Sequence, residues 1–366
     1  MISSQEFLTF FTRYFAGAIV QSFRGPRLVP QLLSRIWTFI RIVQKGEKLR
    51  ACSERGLSMP VPRNCVFSVT WKCNLDCTGC YARNYSVKQQ MPAREIARVL
   101  KECADMGIYI QTIAGGEPFM VEGLLEKVAA IKNAFFLFYT NGTLLTPDHV
   151  RVFSRARNIM PVVSIEGSGP QTDIRRGTGV HEKVLSAMGK LKRAHVPFAF
   201  STMVTHENVM HVTSREWVSA LWDRGARFGF FIDYIPMPKN LNTAYVLTAE
   251  DRRCKDQAIK ARNAEARPLL FNLPPDEYES GECLAAGKGL IHINADGFVE
   301  PCPFSHYAID NIKSKSIPEI LGSSFFKELR QKTAEWDNPL KECMLFRHHE
   351  KVRELAQQTG ASWTEV

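Results

Sequence analysis

Val66-Phe-Ser-Val-Thr-Trp-Lys-Cys73-Asn-Leu-Asp-Cys77-Thr-Gly-Cys80-Tyr81 decides how the rest of the chain is read. A short β-prone run feeds a loop carrying three thiols spaced C-x3-C-x2-C, with Gly79 giving the backbone room to wrap a ligand. Soft thiolates crowded on one loop call for a soft metal centre. Cubane iron-sulfur clusters usually take four cysteines, so three on a loop leave one iron without a protein ligand. A structural zinc loop is the competing reading; it wants a fourth ligand nearby, and residues 65–90 contain no histidine.

The 366 residues suit one large domain with appendages, and an apolar content of 45% is ordinary for a protein with a sizeable core. Ten cysteines are too sparse for a disulfide scaffold, and a spaced loop triplet belongs in a reducing, cytoplasmic compartment. The net charge of +10 comes from scattered basic residues, many of them in the first 63 positions. No recognised nucleic-acid motif accompanies them, so an anionic substrate or lipid surface is the expected partner rather than nucleic acid. Arg13, Arg24 and Arg27 interrupt the aromatic N-terminus before it reaches the length of a membrane span, and no small-residue cleavage site follows a basic start.

Residues 1–50 read as two amphipathic helical pieces split near Gly25-Pro26, with Phe7, Phe10, Phe11 and Phe15 in the first and Leu32, Leu33, Ile36, Trp37, Ile40 and Val43 in the second. Either they pack on the barrel exterior or they lie on a membrane as a peripheral anchor. Residues 55–63 have the punctuation of a linker. From Cys65, short apolar runs alternate with amphipathic helices, the mark of βα units and a parallel sheet. The expected strands are Phe67–Trp71, Tyr109–Ala114, Phe135–Thr140, Val162–Glu166, Pro197–Val204 and Phe228–Ile235. Helices fall between them, one opened by Thr146-Pro147 and another by a Thr213-x-x-Glu216 capping box. Chemistry in such α/β barrels gathers at the C-terminal strand ends, where the cysteine loop also sits. Past Pro236, a helix starts at Thr248, and a hairpin turning at Asp296-Gly297 delivers Cys302 between Cys283 and Cys343.

The cysteine spacing resembles the radical S-adenosylmethionine (radical SAM) superfamily, and the C-terminal cysteines resemble its SPASM or twitch extensions. The resemblance covers roughly residues 65–345. It implies a partial (β/α)6 TIM-like barrel over 64–236, preceded by the helical segment and linker 1–63 and followed by a small cluster-binding extension over 237–366. It further implies a 4Fe-4S cluster on Cys73, Cys77 and Cys80 whose free iron is chelated by S-adenosyl-L-methionine. Gly115-Gly116-Glu117-Pro118 is similar to the GGEP motif that holds the cofactor's amino group. Asn141 corresponds to a wall of the site, Ser164, Glu166 and Ser201 to the ribose contacts, and Arg176, ahead of Arg175, to the partner of the methionyl carboxylate. Many relatives carry Asp where this chain has Glu166. Thr202, Tyr234 and Pro236 are weaker candidates for the ribose and adenine. A full SPASM domain supplies seven cysteines. With three, Cys283, Cys302 and Cys343, one auxiliary cluster is expected, its fourth ligand drawn from Cys254, Cys65, Cys52, His306, His348 or substrate. The alternative for these three is a hairpin with buried thiols. The implied activity is reductive cleavage of S-adenosylmethionine to a 5'-deoxyadenosyl radical that abstracts hydrogen from a small-molecule, lipid-linked or peptide substrate. The electron comes from a donor such as flavodoxin or ferredoxin. A peptide (RiPP) maturase of the SPASM type is the alternative within the family, and a non-catalytic iron-sulfur or metal-binding protein is the alternative outside it.

Overall fold

The computed structural model describes residues 28–237, 242–265, 268–273, 283–339 and 342–365. Its centre is one nine-stranded sheet in the order β7-β6-β5-β4-β3-β2-β1-β8-β9. The strands are β1 (Asn64–Ser68), β2 (Ile110–Ala114), β3 (Phe135–Thr140), β4 (Ile159–Ser164), β5 (Phe198–Val204), β6 (Ala226–Asp233), β7 (Leu269–Leu273), β8 (Leu290–Ile293) and β9 (Val299–Glu300). All pairings from β7 through β1 to β8 are parallel, and β9 returns antiparallel on β8. The βα units are present as read, but the curved sheet does not stop at six strands. β7 extends one edge and β8 the other, so segments beyond residue 236 pair directly with the barrel strands.

Alternation along the strands divides the interior in two. On β3, Phe136 and Phe138 face outward into a large core with the helices, whereas Phe135 faces inward with Leu137 and Tyr139 beside it. The outer helices include α2 (Ala93–Asp105), α3 (Leu124–Ala130), α4 (Pro147–Arg155), α5 (Gly169–Arg176), α6 (Val180–Arg193) and α7 (Arg215–Asp223). The Thr146 side chain caps α4 and Pro147 opens it, as expected. The cap of α7 is Ser214, whose hydroxyl accepts from Trp217 N–H, one residue later than the Thr213 box predicts. Helix α8 (Ala249–Glu265) follows Thr248.

The N-terminal segment departs from both expectations. A single helix, α1 (Leu28–Leu57), runs through the start of the supposed linker and ends where Ser58 adopts a left-handed φ of 53°. Its face of Leu32, Ile36, Phe39, Ile42 and Val43 is buried against Tyr109, Phe135, Met160, Ala199, Phe228 and Leu269. Tyr109 lies just before its strand and the others near the beginning of theirs, on the concave side. α1 therefore closes the N-terminal mouth of the barrel from within rather than packing on its exterior. For residues 28–50 the anchor reading is corrected on the same ground: their apolar stripe is already covered by protein. Among the described side chains of its large apolar residues, Leu33 and Trp37 remain exposed, with Leu57 at its end, and Arg41 lies over the Trp37 ring. Residues 1–27, with the aromatic first piece, lie outside the described residues. No helix among the described residues is long and apolar enough to cross a membrane.

Candidate active site

The end of β1 and the cysteine loop are fastened to the end of β2 by main-chain hydrogen bonds. Val69 N–H donates to Ala114 O (3.0 Å), Gly116 N–H to Thr70 O (2.6 Å) and Glu117 N–H to Lys72 O (2.9 Å). A Cβ on Gly115 would lie 2.5 Å from Thr70 O, and one on Gly116 2.0 Å from Lys72 O. The two glycines are thus needed for the approach of one strand end to the other, and both line the cavity. Further out, Asn141 donates to Asn74 Oδ1 (2.9 Å) and accepts from Thr143, and Asn74 donates to Thr143, so the tip of the loop is held to the end of β3.

Cys73, Cys77 and Cys80 line one cavity of about 560 Å³. Burial pushes the Cys73 thiol up to about 11, with Glu117, Cys80 and Cys77 adding to the rise and Leu75 N–H opposing it. Burial also raises Cys77, against the pull of Arg176 and Arg175. The three thiols thus lie within one another's field, the donor set that a cationic iron-sulfur cluster would deprotonate and hold. Among the described residues no three Cys, His, Asp or Glu side chains converge on a single ion.

Both arginines lie on helix α5, opened by a Ser168–Gln171 capping box and stopped by Gly177 at φ 109°. Its last turn presents both arginines. Arg176 Nε donates to Glu166 Oε1 (2.8 Å), its Nη2 bonds the same oxygen, and Arg175 Nη1 joins them. Arg175 also donates through Nε to Thr78 O (3.1 Å), while Thr78 N–H donates to Arg175 O (2.9 Å), which ties the cysteine loop to the helix. Glu166 further accepts from Met203 N–H (3.0 Å). Burial acts to raise its pKa, but the two guanidiniums outweigh it and hold the carboxyl below its usual range. Glu166 lines the cavity with both its oxygens already hydrogen-bonded within the protein.

Ser164 and Ser201 face each other across β4 and β5 with their hydroxyls 3.0 Å apart, and both line the cavity, as does Tyr234. Four candidates are placed otherwise. Glu117 is fully buried and accepts from Thr140 Oγ1 (2.8 Å), Asn141 N–H (2.8 Å) and Phe119 N–H (3.2 Å), joining the ends of β2 and β3 instead of lining the cavity. Burial raises its pKa to about 7 despite those bonds. Pro118 begins a short turn over α3, Thr202 donates to Ile165 O on the outer face, and Pro236 is absent from the lining.

Cys283, Cys302 and Cys343 are all buried and line this same cavity from the C-terminal side. Ala286, at a positive φ of 59°, donates its N–H to Pro301 O, which joins the Cys283 segment to the Cys302 turn. The protein candidates for a fourth ligand lie elsewhere. Cys254 bonds Glu250, Cys65 pairs with Cys103 on the outer face, Cys52 is exposed on α1, His306 is held by Glu365 and Pro303 O, and His348 by Asp337 O.

Two features were missed from the sequence. A buried chain joins the cysteine loop to the hairpin: Tyr81 Oη to Ser68 Oγ (2.9 Å), Ser68 Oγ to His292 Nε2 (2.8 Å), and His292 Nδ1 to Glu300 Oε2 (2.6 Å). Trp71 Nε1 adds a bond to Asp296 (2.9 Å). The signal was there in His292 and Asn294 two residues apart on one strand face with Glu300 opposite. The second feature is Tyr139, legible as the third inward position of β3.

Residues 67–217 match the family model of the radical SAM superfamily, and residues 283–344 match that of the SPASM iron-sulfur cluster-binding domain. Among similar proteins, an AdoMet-dependent heme synthase of Methanosarcina barkeri is 25% identical, covering 74% of this chain and 85% of that one. A GTP 3',8-cyclase of Clostridium perfringens is 31% identical over 64% of this chain and 74% of its own length. The sporulation killing factor maturation protein SkfB of Bacillus subtilis is 23% identical over 71% of this chain and 65% of SkfB. The fold is that of Streptococcus suis SuiB bound to its precursor peptide SuiA, with a TM-score of 0.63 at 17% identity over 81% of this chain and 70% of that one.

Proposed function

Since the chain belongs to the radical SAM superfamily and carries a SPASM domain, and is thereby an enzyme of a 4Fe-4S cluster and S-adenosylmethionine, we propose that Cys73, Cys77 and Cys80 ligate that cluster and leave one iron for the methionine end of the cofactor. When bound, these groups supply reductive cleavage to a 5'-deoxyadenosyl radical that takes hydrogen from a substrate. The Gly115 and Gly116 carbonyls accept from the cofactor's ammonium group, and Ser164 and Ser201 bond its ribose. Two guanidiniums on one carboxylate leave one positive charge at Arg175, Arg176 and Glu166, and that charge faces the methionyl carboxylate, through Arg176 first. Asn141 walls the site and Glu117 with Pro118 positions the β2 end. Cys283, Cys302 and Cys343 hold one auxiliary cluster. Residues 64–236 carry the radical chemistry, 237–366 carry the auxiliary cluster, and within the N-terminal segment 1–63 helix α1 closes the barrel. A flavodoxin or ferredoxin in a reducing cytoplasm donates the electron.

The observation that carries this reading is the convergence of two thiol sets, the arginine pair and the two serines on one cavity at the C-terminal strand ends. Anaerobically reconstituted protein given reductant and S-adenosylmethionine is expected to release 5'-deoxyadenosine. Its reduced cluster should give an electron paramagnetic resonance signal that shifts when the cofactor is added. A signal indifferent to the cofactor would refute the assignment. Peptide maturation is a second reading, favoured by the likeness to SkfB; deuterium passing from a labelled peptide into 5'-deoxyadenosine would select it.

A further inference from the structure

The cavity changes character with depth, and parallel register sets its lining in layers roughly 6.6 Å apart, two residues of rise. An upper layer carries two hydroxyls, with Ser164 at the end of β4 beside Ser201 of β5. One layer below, Tyr139 is level with Val162, Ala199 and Phe228. Below that, Leu137 lies between Thr112 and Met160. The floor is Phe135 with Ile36 and Phe39 of α1, where the Phe39 and Phe135 rings meet edge to face at 5.1 Å.

Among the described residues, the charged side chains that line the cavity at its upper end and at its floor have partners. Asp233 is paired with the fully buried Lys255. The Arg35 guanidinium is bonded to Phe153 O, in the last turn of α4, to Ile159 O and to Gln31. Tyr139 is different: its ring packs near Phe230, its hydroxyl makes no hydrogen bond to any described residue, and burial alone bears on its ionisation, upward. Its partial accessibility opens onto the cavity it lines. A buried phenol normally finds a hydrogen-bond partner, and here the open side is the chamber.

We infer that the enzyme acts on a substrate whose reacting part is an uncharged, largely hydrocarbon body carrying one oxygen or nitrogen, seated below the cofactor and hydrogen-bonded by Tyr139. A phosphate- or carboxylate-rich body would give up its hydration there with no uncommitted cation among the described residues to replace it. The inference rests on the radical reading for the place of the cofactor, and it names what lies beneath it.

The test uses the full chain with its clusters reconstituted, kept anaerobic, with S-adenosylhomocysteine in place of the cleavable cofactor. Three probes share one ring system: naphthalene, 1-naphthol and 1-naphthalenesulfonate, each titrated by calorimetry. 1-Naphthol is expected to bind, and the sulfonate to bind at least about tenfold more weakly because its charge meets no free counter-ion among the described residues of the chamber. Tyr139→Phe, which keeps the ring, should weaken 1-naphthol by roughly fivefold, the worth of one hydrogen bond, and leave naphthalene unchanged. A sulfonate that binds as tightly as 1-naphthol, a Tyr139→Phe variant with unaltered 1-naphthol affinity, or no binding of either uncharged probe would each overturn the inference. Wild-type protein that releases 5'-deoxyadenosine yet binds no uncharged probe removes the chamber assignment alone. Protein that binds 1-naphthol but never cleaves S-adenosylmethionine removes the radical reading alone.

Discussion

Gly46 of α1 and Tyr109, at the threshold of β2, lie so close that a methyl group on Gly46 would sit 2.3 Å from Tyr109 Cδ1. The ring has little room to retreat, because Tyr109 is buried and its hydroxyl donates to Glu47 Oε1 at 2.7 Å. Gly46→Ala would gain about 1 kcal/mol of helix propensity in an open helix. Here overpacking, at about 1–3 kcal/mol, is expected to win, so the variant should unfold at lower urea than wild type. A variant more stable than wild type would mean that α1 does not seat on the barrel mouth as described.

The same seating separates anchor from plug. A chain shortened to begin at Leu28 should fold and hold iron, whereas one beginning at Ser58 uncovers Phe135, Phe228 and Leu269 and should aggregate. Cosedimentation with anionic liposomes is then expected to distinguish full-length protein from the Leu28 form if residues 1–27 touch lipid. Soluble, iron-loaded protein starting at Ser58 would show that the plug is dispensable.

Iron content tests the two thiol sets separately. Replacing Cys73, Cys77 and Cys80 together with Ala should remove the signal that responds to S-adenosylmethionine. About four irons per chain should remain, one cubane's worth, on Cys283, Cys302 and Cys343. A folded triple variant with no residual iron would return those three cysteines to the role of buried thiols.

The arginines are predicted to fail differently. Arg176→Gln leaves Arg175 to neutralise Glu166 and removes the spare positive charge, so the KM for S-adenosylmethionine should rise by roughly tenfold or more, the scale of a charge-assisted hydrogen bond. Arg175→Gln also loses the Thr78 contact that braces the cysteine loop, and should show faster iron loss to a chelator. Equal effects on both readouts would place the two residues in one role.

Acid stability should report Glu47. Burial works to raise its pKa, but hydrogen bonds from Arg50, Arg63 and Tyr109 outweigh this and bring it to about 2, against 4.5 for the free side chain. A folded-state pKa below the unfolded one contributes stability that is complete above about pH 4.5 and fades as pH falls toward 2. Glu47→Gln should therefore be less stable than wild type near neutrality and approach it in acid. Parallel stability curves for the two proteins would refute the assignment.

What was legible in the sequence was whatever repeats locally. The six βα units, the Thr146-Pro147 start and the Asp296-Gly297 hairpin come from periodicity and turn chemistry, and the structure has them. The cysteine loop was legible because three thiols on one loop have few other uses. What escaped depends on contacts remote in sequence. An amphipathic stripe such as Leu32, Ile36, Phe39 and Val43 looks the same whether lipid or a barrel covers it. Glu117 and Glu166 were read as ligand-facing because the family resemblance sets them at the cofactor's amino group and ribose. Which way they turn is set by Thr140 in one case and by Arg175 and Arg176 in the other. Helix α5 was hidden by its eight-residue length, too short for periodicity to register.

The pairing of β8 with β1 bears on the order in which the protein is made. β1 has β2 on one side early in synthesis, but its other neighbour comes from Leu290–Ile293, and Ser68 beside the cysteine loop waits for His292 to complete its bonds. A ribosome that has released Cys80 still has most of the chain to translate before the loop's scaffold exists. Iron-sulfur insertion is therefore expected to follow synthesis rather than accompany it, and stalled nascent chains ending before β8 should emerge without iron. Nascent chains of that length carrying a cluster would show instead that the loop is organised by β2 alone.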